Sequence, residues 1–396
     1  MAIREVKLGK VATVKGGKRL PKGINLITKP NPHPYIRVRD LNGKKTLELD
    51  GSFEFVDDET QKAISRYIVI NGDIVLSIVG TIGLVSVVGD SLNEANLTEN
   101  CVKLTSLSGI DRDYLYYYLK SSYGQQEIAR GTVGAVQAKL PIKNIQDISI
   151  PLPDEVTQRK IADILSSLDA KIEVNQRIND NLYEIVNAYY TSLFKDVECE
   201  MTTIGNYAER IYSGGTPTTS NAAYWDGTFG WFSSGETRNR FVISTEKSIT
   251  QTGIDNSSTK LASKHDIVMA SAGQGFTRGQ TSMLLIDTYV NQSVIVIHAD
   301  RNILPYLFWN LANRYEELRA ISDSSSIRGS LTTKMIAAFE IPCANNDVIQ
   351  TFSGFAWAVI PQIENNLLEN ERLAALRDSL LPKLMTGEID VSAIQL

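Results

Sequence analysis

The sequence is poor in the residue types that most often bind metals or cross-link small domains. Its 396 residues include three cysteines and three histidines, and both sets are scattered: Cys101, Cys199 and Cys343; His33, His265 and His298. This spacing fits neither a disulfide framework nor a CxxC zinc site. We therefore expect no structural zinc, and a reducing cytoplasm as the natural location of the chain.

Long apolar runs and nucleotide-binding motifs are also missing. No stretch of 18 apolar residues occurs, and no charged leader followed by an apolar segment begins the sequence. We therefore expect neither a membrane span nor a signal peptide. The absence of a GxxxxGK[ST] motif argues against an ATP site on this chain.

Two short motifs are similar to parts of methyltransferase sites but lack the context that those sites need. Asn31-Pro-His-Pro-Tyr35 resembles the Asn-Pro-Pro-Tyr loop with which amino-methyltransferases hold a base amino group, but His33 separates the prolines. Gly273-Gln-Gly275 resembles a cofactor glycine loop, yet no βαβ unit surrounds it. Both observations argue against methyl transfer by this chain.

Two long segments carry apolar residues at steps of three and four. The first, from about Asp154 to Lys195, has this stripe: Ile161, Ile164, Leu165, Leu168, Ile172, Ile178, Leu182, Ile185, Val186, Tyr189 and Leu193. The second, from Asn346 onward, has Phe352, Phe355, Val359, Ile363, Leu367, Leu373, Leu376, Leu380 and Leu384. The period predicts two long helices, each packing along one stripe against a partner of similar length.

The two segments are copies of one another. Ile172 and Ile363 are separated by 191 residues, and so are Leu182 and Leu373. Asn175 and Asn366 share this offset, and each falls on its apolar stripe, where a buried asparagine would fix the helix register. Two exposed asparagines at the edge of the stripe are the alternative.

The duplication extends to the segments between the helices. Asp73-Ile-Val-Leu-Ser matches Asp266-Ile-Val-Met-Ala at an offset of 193, and Gly16-Gly17 matches Gly214-Gly215 at 198. The sequence thus predicts an α+β protein: two pseudo-symmetric, mixed α/β globular domains separated by two long helices that pack along their apolar stripes.

We place the first globule at residues 1–152 and the first helix at 153–198. The second globule follows at 199–343 and the second helix at 344–396. Gly354 and Pro361 lie inside the second helix and are expected to kink or delay it.

Charge is distributed unevenly along the chain, although the net charge is only −5. Residues 1–152 carry 20 basic and 16 acidic side chains, whereas 153–200 carry 5 and 10. Residues 201–343 carry 12 of each, and 344–396 carry 3 and 7. Within residues 1–50 there are 12 basic and 4 acidic groups. The first globule is therefore the basic part of the chain, and the helices are acidic.

Basic and polar side chains in both globules could contact phosphates and base edges. In the first globule the candidates are Lys15, Lys18, Arg19, Lys22, Arg37, Arg39, Lys44 and Lys45. In the second they are Ser213, Thr216, Thr218, Arg238, Arg240, Gln274, Arg278 and Arg328. Arg37 and Arg39 would share one face of a predicted strand from Tyr35 to Leu41. A solvated basic face remains the alternative explanation for the first set.

Several longer strings occur in duplicate and in a fixed order. They are Tyr35-Ile-Arg-Val-Arg-Asp-Leu, Gly72-Asp-Ile-Val-Leu, Gln158-Arg-Lys-Ile-Ala-Asp-Ile-Leu-Ser-Ser-Leu-Asp-Ala-Lys-Ile-Glu, Ser213-Gly-Gly-Thr-Pro and Leu376-Arg-Asp-Ser-Leu-Leu-Pro-Lys-Leu-Met-Thr-Gly-Glu-Ile. With these strings the chain resembles the specificity subunit of a Type I restriction–modification enzyme over essentially its full length.

The resemblance implies a division of labour. The globules resemble target recognition domains, each reading one half of a split site in double-stranded DNA. The helices resemble the paired helices of an antiparallel coiled coil, which space the globules and dock two methyltransferase subunits. Such complexes also contain restriction and translocation subunits. In such complexes S-adenosylmethionine belongs to the methyltransferase subunits and ATP with Mg²⁺ to the restriction subunits. No cofactor and no catalytic residue is thereby implied for this chain.

Two other readings of the sequence stay open at this point. A DNA methyltransferase or a Type II restriction enzyme component acting on its own could have a similar layout. The second alternative is a coiled-coil scaffold that does not bind DNA. Binding of S-adenosylmethionine by the purified chain would favour the methyltransferase, and a salt-dependent gel shift would exclude the scaffold.

Overall fold

The computed structural model of the chain describes residues 4–41, 43–134, 137–194, 200–273, 277–324 and 329–391. The chain divides into two compact units. One comprises Met1–Glu173 with Glu371–Leu396, and the other comprises Val174–Asn370. Each unit therefore contains one globule together with a part of each long helix.

The first unit is built from short strands and helices around one five-stranded sheet. Its strands are β1 (Arg4–Lys7), β2 (Thr13–Gly16), β3 (Pro34–Ile36), β4 (Thr46–Leu47), β5 (Glu54–Phe55), β6 (Ile74–Ser77), β7 (Val85–Val88), β8 (Asn96–Leu97), β9 (Cys101–Thr105) and β10 (Ser149–Leu152). Its helices are α1 (Leu8–Val11), α2 (Asp58–Ile64), α3 (Arg112–Lys120), α4 (Ser122–Gly131), α5 (Ile142–Gln146) and the first part of α6 (Glu155–Phe194). Short 3-10 turns occur at Val38–Asp40, Ser65–Tyr67 and Asp90–Leu92.

The strands of the first unit form three sheets. The five-stranded sheet has the order β2-β9-β6-β7-β4, a smaller sheet has the order β5-β3-β8, and β1 pairs with β10. The central strand β6 is buried along its whole length, as expected for an apolar run covered on both faces. Tyr114 to Leu119 of α3 are buried in the main core beside it.

The second unit repeats this design with longer strands. Its strands are β11 (Met201–Thr203), β12 (Ala208–Ser213), β13 (Trp225–Phe232), β14 (Phe241–Val242), β15 (Lys247–Ile249), β16 (Lys260–Ala262), β17 (Ile267–Ala270), β18 (Thr281–Leu284), β19 (Thr288–Val290), β20 (Val294–Ala299) and β21 (Glu340–Pro342). Its helices are α7 (Ile204–Tyr207), α8 (Gln251–Asp255), α9 (Leu304–Asn313), α10 (Tyr315–Ser324), α11 (Thr333–Ala337), the last part of α6 and the first part of α12 (Asn346–Thr386), with 3-10 turns at Ala222–Tyr224 and Ser234–Arg238.

The sheet orders of the second unit match those of the first, except that β16 adds a fourth strand to the smaller sheet. The five-stranded sheet runs β12-β20-β17-β18-β14, the smaller one β15-β13-β19-β16, and β11 pairs with β21. The matching strings that begin at Asp73 and Asp266 become the equivalent central strands β6 and β17. The duplication predicted from the sequence is thus confirmed in the topology.

The bounds of the two long helices agree closely with the periodicity of the sequence, but Ile185 and Leu376 of the predicted stripes are exposed rather than packed. The Asp154 carboxylate accepts a hydrogen bond from the Thr157 backbone N–H at 3.0 Å and so caps α6. At its other end, α12 stops at Thr386, and Gly387 follows with a φ of 73°. The delay that we expected from Gly354 and Pro361 is absent, because α12 begins at Asn346 and continues through both residues.

Within each unit the helical segments pack against each other in opposite directions. In the first unit Ile161 and Leu165 of α6 share a core with Leu381 and Leu384 of α12. In the second unit Tyr189 lies near Phe355 with ring centroids 4.9 Å apart, and Asn179 bonds to Asn366. Residue numbers therefore rise along one helix while they fall along the other, as the family resemblance implies.

A layer of asparagines interrupts the apolar stripe in the second unit. Nδ2 of Asn366 donates to Oδ1 of Asn179 at 2.8 Å, and Nδ2 of Asn175 donates to Oδ1 of Asn370 at 2.9 Å. The offset of 191 residues relates Asn175 to Asn366 and Asn179 to Asn370, so the two hydrogen bonds join equivalent positions of the sequence repeat. Asn175 and Asn366 are both buried, which confirms the buried arrangement over an exposed one.

We expect the asparagine layer to show a strong coupling between its members. Asn366→Leu leaves the Asn179 amide without its partner, and this should lower the free energy of unfolding by about 1–3 kcal/mol. The double variant Asn179→Leu with Asn366→Leu should recover most of the loss, because an apolar pair replaces a polar one. A double-mutant cycle in urea measures the coupling, and strictly additive losses would contradict it.

Candidate nucleic-acid interface

In the first unit the loop after β2, residues 17–22, is held against the turn that follows β8; we name it loop A. The Lys18 backbone N–H donates to the Leu97 carbonyl at 2.8 Å, and the Tyr35 hydroxyl donates to the Lys18 carbonyl at 2.7 Å. A Cβ atom at Gly17 would lie 2.0 Å from the Thr98 carbonyl oxygen. Only glycine permits this approach of the two backbones.

The second unit contains the same construction in residues 214–221, which we name loop B. The Gly215 backbone N–H donates to the Val290 carbonyl at 3.1 Å, and the Trp231 indole N–H donates to the Gly215 carbonyl at 3.3 Å. A Cβ atom at Gly214 would lie 1.9 Å from the Val290 carbonyl oxygen. Gly17 and Gly214 are therefore the equivalent pair, one position away from the alignment that we expected from the sequence.

Four basic candidates lie together along β2 and loop A. Lys15, Lys18, Arg19 and Lys22 are all exposed. Lys18 Nζ lies 5.5 Å from the centre of the Tyr67 ring, and Arg19 Nε bonds to Glu99 Oε1 at 2.6 Å. These four side chains form an exposed basic group on the first unit.

The predicted strand from Tyr35 to Leu41 is wrong, and this changes the roles of its arginines. Strand β3 ends at Ile36, and a 3-10 turn follows, because the Asp40 carboxylate accepts the Arg37 backbone N–H at 2.7 Å. The half-buried Arg37 guanidinium pairs with Glu54. Arg39 is more exposed and reaches the same Glu54 carboxylate at 3.2 Å. Burial raises the pKa of Asp40 to about 6, against the opposing effect of Arg39.

We expect charge reversal to separate these two arginines. Arg37→Glu would place three carboxylates side by side in a poorly solvated site and lower the free energy of unfolding by about 3 kcal/mol. Arg39→Glu should leave the fold intact and reduce the slope of log affinity against log salt by about one. Urea unfolding and gel shifts over a salt series measure the two effects. Equal destabilisation by both substitutions would contradict the distinction.

The remaining basic pair of the first unit has a mixed environment. Lys44 is exposed, and its charge contributes to a lowered pKa of Asp50, after the hydrogen bonds from Ser52. Lys45 points inward instead: its Nζ bonds to Asp113 at 2.8 Å and to Ser166 of α6 at 2.7 Å. This geometry favours a structural role for Lys45 over a phosphate contact.

The candidates of the second unit are more dispersed. Ser213 ends β12, the Thr216 hydroxyl bonds to Gln292, and the exposed Thr218 accepts the Trp225 indole N–H at its carbonyl, 3.2 Å away. Thr216 and Thr218 thus lie together on loop B. Gln274 and Arg328 lie outside the described residues.

Three arginines of the second unit lie elsewhere. Arg238 is exposed and pairs with Glu246. Arg240 stacks over the Tyr183 ring of α6 at 4.2 Å. Arg278 is buried and bonds to the Gly329 carbonyl at 2.6 Å. Burial makes Arg278 a structural residue rather than a surface donor.

Sequence reasoning missed the acidic and amide partners of these surfaces. Glu54 holds Arg37 and Arg39, Glu99 holds Arg19, and Gln292 holds Thr216. One signal could have found the last two, because Glu99 and Gln292 share the offset of 193 that relates Asp73 to Asp266.

Among the described residues, no group of three or more His, Cys, Asp or Glu side chains could hold a metal ion. A separate search of the same residues finds no helix with the length and apolar character needed to cross a membrane.

Comparison with known proteins identifies relatives for both globules. The family model described as Type I restriction modification DNA specificity domain matches residues 3–184 and 197–347. The HindI specificity subunit of Haemophilus influenzae is 21% identical over 329 residues, which cover 63% of this chain and 71% of that protein. The MjaIX specificity subunit of Methanocaldococcus jannaschii is 20% identical over 382 residues, covering 91% and 88%.

The fold has a solved counterpart as well. The Type I restriction–modification S subunit from M. genitalium superposes with a TM-score of 0.58 at 17% identity, covering 97% of this chain and 96% of that one. The family model covers most of the chain and matches it twice, once for each globule. The chain therefore belongs to the Type I restriction modification DNA specificity family, whose role is DNA recognition in a Type I restriction–modification system.

Proposed function

We propose that the chain reads an asymmetric, interrupted DNA target, with one half-site for each globule, and that it contributes no catalytic residue. The proposal rests on one observation. The two globules hold loops A and B in the same backbone arrangement, but the side chains of the two loops differ. Loops A and B are anchored by equivalent hydrogen bonds, yet loop A presents Lys18, Arg19 and Lys22 where loop B presents Thr216 and Thr218. Because the two loops present different hydrogen-bond donors in the same backbone arrangement, we expect them to read different bases.

The charge difference also supports a larger share of phosphate binding by the first globule. Each phosphate neutralised by a lysine or arginine releases counterions and steepens the salt dependence of binding. The basic cluster of β2 and loop A has no counterpart in loop B, whose residues 214–221 contain no lysine or arginine. The second globule then reads its half-site mainly through hydroxyl and amide groups.

We further propose that the long helices dock two methyltransferase subunits and that restriction subunits join through them. Support for two equivalent docking positions comes from the repeat. Ile185 on α6 and Leu376 on α12 are related by the offset of 191, and their exposed fractions are 54% and 46%. Large apolar side chains kept in solvent at matching positions suit two copies of one partner. S-adenosylmethionine would then be bound by the methyltransferase subunits and ATP with Mg²⁺ by the restriction subunits, in the cytoplasm, where host DNA is found.

Exchange of residues 200–343 for the corresponding segment of another specificity subunit tests the proposal. We expect the methylation pattern of host DNA to change in one half-site and to stay constant in the other. The graft should keep Tyr306, Trp309 and Asn310 of α9, because these side chains contact Tyr183, Tyr190 and Phe194 of α6.

The reciprocal exchange of residues 1–152 provides the matched control and should change the other half-site. Altered methylation in both half-sites after a single exchange would contradict the division between globules. Binding of S-adenosylmethionine by the purified chain would contradict the absence of a catalytic role and favour a methyltransferase acting on its own.

A further inference from the structure

We propose that Glu99 and Gln292 occupy one equivalent base-reading position in the two globules, where Glu99 acts with Arg19 and Gln292 acts with Thr216. The inference deepens the proposed bipartite recognition and rests on it. It assigns a G·C pair to that position of the first half-site and an A·T pair to that position of the second.

The backbone establishes the equivalence of the two residues inside their own units. The Thr98 N–H donates to the Ile36 carbonyl at 3.0 Å, and the Asn291 N–H donates to the Phe232 carbonyl at 3.1 Å. A second hydrogen bond closes the turn in each unit. The Cys101 N–H donates to the Thr98 carbonyl at 3.1 Å, and the Val294 N–H donates to the Asn291 carbonyl at 3.4 Å. Glu99 and Gln292 are thus the second residue of the same turn.

The loop residues that contact Glu99 and Gln292 are equivalent as well. Loop A is tied by the Tyr35 hydroxyl and loop B by the Trp231 indole, each to the carbonyl of the residue after the close-packed glycine. The next residue is Arg19 in loop A and Thr216 in loop B. Arg19 bonds to Glu99 at 2.6 Å, and the Thr216 hydroxyl bonds to Gln292. Equivalent backbone positions therefore carry a charged pair in the first unit and a neutral pair in the second.

Each pair has one exposed member, Arg19 in the first unit and Gln292 in the second. The Arg19 side chain is 81% exposed and that of Glu99 is 30% exposed, while Gln292 is exposed. An exposed ion pair contributes little to stability, so stability does not account for a contact repeated with different chemistry. Burial raises the pKa of Glu99, but the hydrogen bonds from Arg19, its own backbone and Thr98 outweigh this effect and lower it. The carboxylate is therefore ionised and can only accept hydrogen bonds.

The chemistry of each pair selects a base pair. Arginine donates to O6 and N7 of guanine, and a glutamate accepts from N4 of cytosine, so Arg19 and Glu99 together match both edges of a G·C pair. Glutamine bonds to N6 and N7 of adenine, and the threonine methyl group contacts the thymine methyl group, so Gln292 and Thr216 together match an A·T pair. The carboxylate of Glu99 also repels phosphates and thereby disfavours binding elsewhere on DNA.

The test transplants one pair onto the other frame. The double variant Arg19→Thr with Glu99→Gln gives the first globule the pair of the second, and host DNA methylation is mapped with the full chain in its complex. We expect one position of the first half-site to change its preference from G·C to A·T by about tenfold to hundredfold, with the second half-site unchanged. The single variant Glu99→Gln should relax that position, and Glu59→Gln on the exposed face of α2 serves as the control.

The possible outcomes are distinguishable. An unchanged first half-site with the double variant in an active complex overturns the inference. Loss of all methylation by an assembled complex would assign the pair to phosphate binding and would overturn it as well. If the wild-type target proves to be continuous rather than interrupted, the proposed function itself fails, independently of these variants.

Discussion

Replacing Gly17 by alanine should detach loop A and abolish reading of the first half-site. The new Cβ atom would lie 2.0 Å from the Thr98 carbonyl oxygen and 2.4 Å from that of Leu97. Both neighbours are backbone atoms, so no side-chain rotation can relieve the overlap and the loop itself must move. The bonds from the Lys18 N–H and the Tyr35 hydroxyl would then be lost, at a cost of about 3 kcal/mol.

The adjacent glycine provides the control for this substitution. A Cβ atom at Gly16 would meet only Ile142 Cδ1, at 3.6 Å, which is an ordinary contact. Gly16→Ala should therefore keep both the melting temperature and the methylation pattern of the wild type. Gly214→Ala should mirror Gly17→Ala, with its loss confined to the second half-site. Similar behaviour of Gly16→Ala and Gly17→Ala would show that close packing is not the reason for the glycine.

Asp169→Ala should be the most damaging substitution on the long helices. One carboxylate oxygen of Asp169 accepts a hydrogen bond from Arg377 of α12 at 2.6 Å, and the other accepts from the Tyr117 hydroxyl of α3, also at 2.6 Å. All three helical segments belong to the first unit. Removing the carboxylate leaves a partly buried guanidinium that is still paired with the flanking Asp378. Breaking a buried pair costs about 3–5 kcal/mol, and the partial exposure of this one places its cost at the lower end of that range.

The effect can be separated from a general loss of charge on the helix. Glu155 forms an exposed pair with Arg159 one turn along the same helix, and Glu155→Ala should cost only about 0.3–0.5 kcal/mol. Asp169→Asn should fall between the two, because it keeps an acceptor for Tyr117 but loses the charge facing Arg377. Thermal and urea unfolding of the full chain measure all three. An Asp169→Ala variant as stable as Glu155→Ala would contradict a coupling of the helices through this carboxylate.

The same site explains why some strings in the sequence carry the family resemblance. Asp169 and Gln158 belong to the string at the start of α6, and Arg377 belongs to the string near the end of α12. Gln158 is buried, donates to the Pro153 carbonyl at 2.9 Å and accepts the Asp111 N–H at 2.8 Å. These residues join the helices to the globule. Their presence in the sequence therefore indicates the architecture of the chain and not the DNA sequence that it recognises.

The fold was largely predictable, whereas the candidate site was predictable only in part. Periodicity marked α6 and α12 to within a few residues, because a helix that buries one stripe must repeat its apolar residues. The predicted strand through Arg37 and Arg39 failed, because the capping side chain of Asp40 turned the backbone after Ile36. A local hydrogen bond of this kind overrides the alternation of a short strand.

The sequence by itself determined the duplication, the long helices and their apolar stripes, since these depend on residue spacing that any folded form must satisfy. Only the tertiary structure decided which charged side chains face solvent. Lys45 and Arg278 look like surface cations in the sequence, but Asp113 and Asp323 hold them. Likewise, the pairing of Arg19 with Glu99 joins residues that are 80 positions apart. The partner of a charged group is chosen by distance in space, which spacing along the chain does not encode.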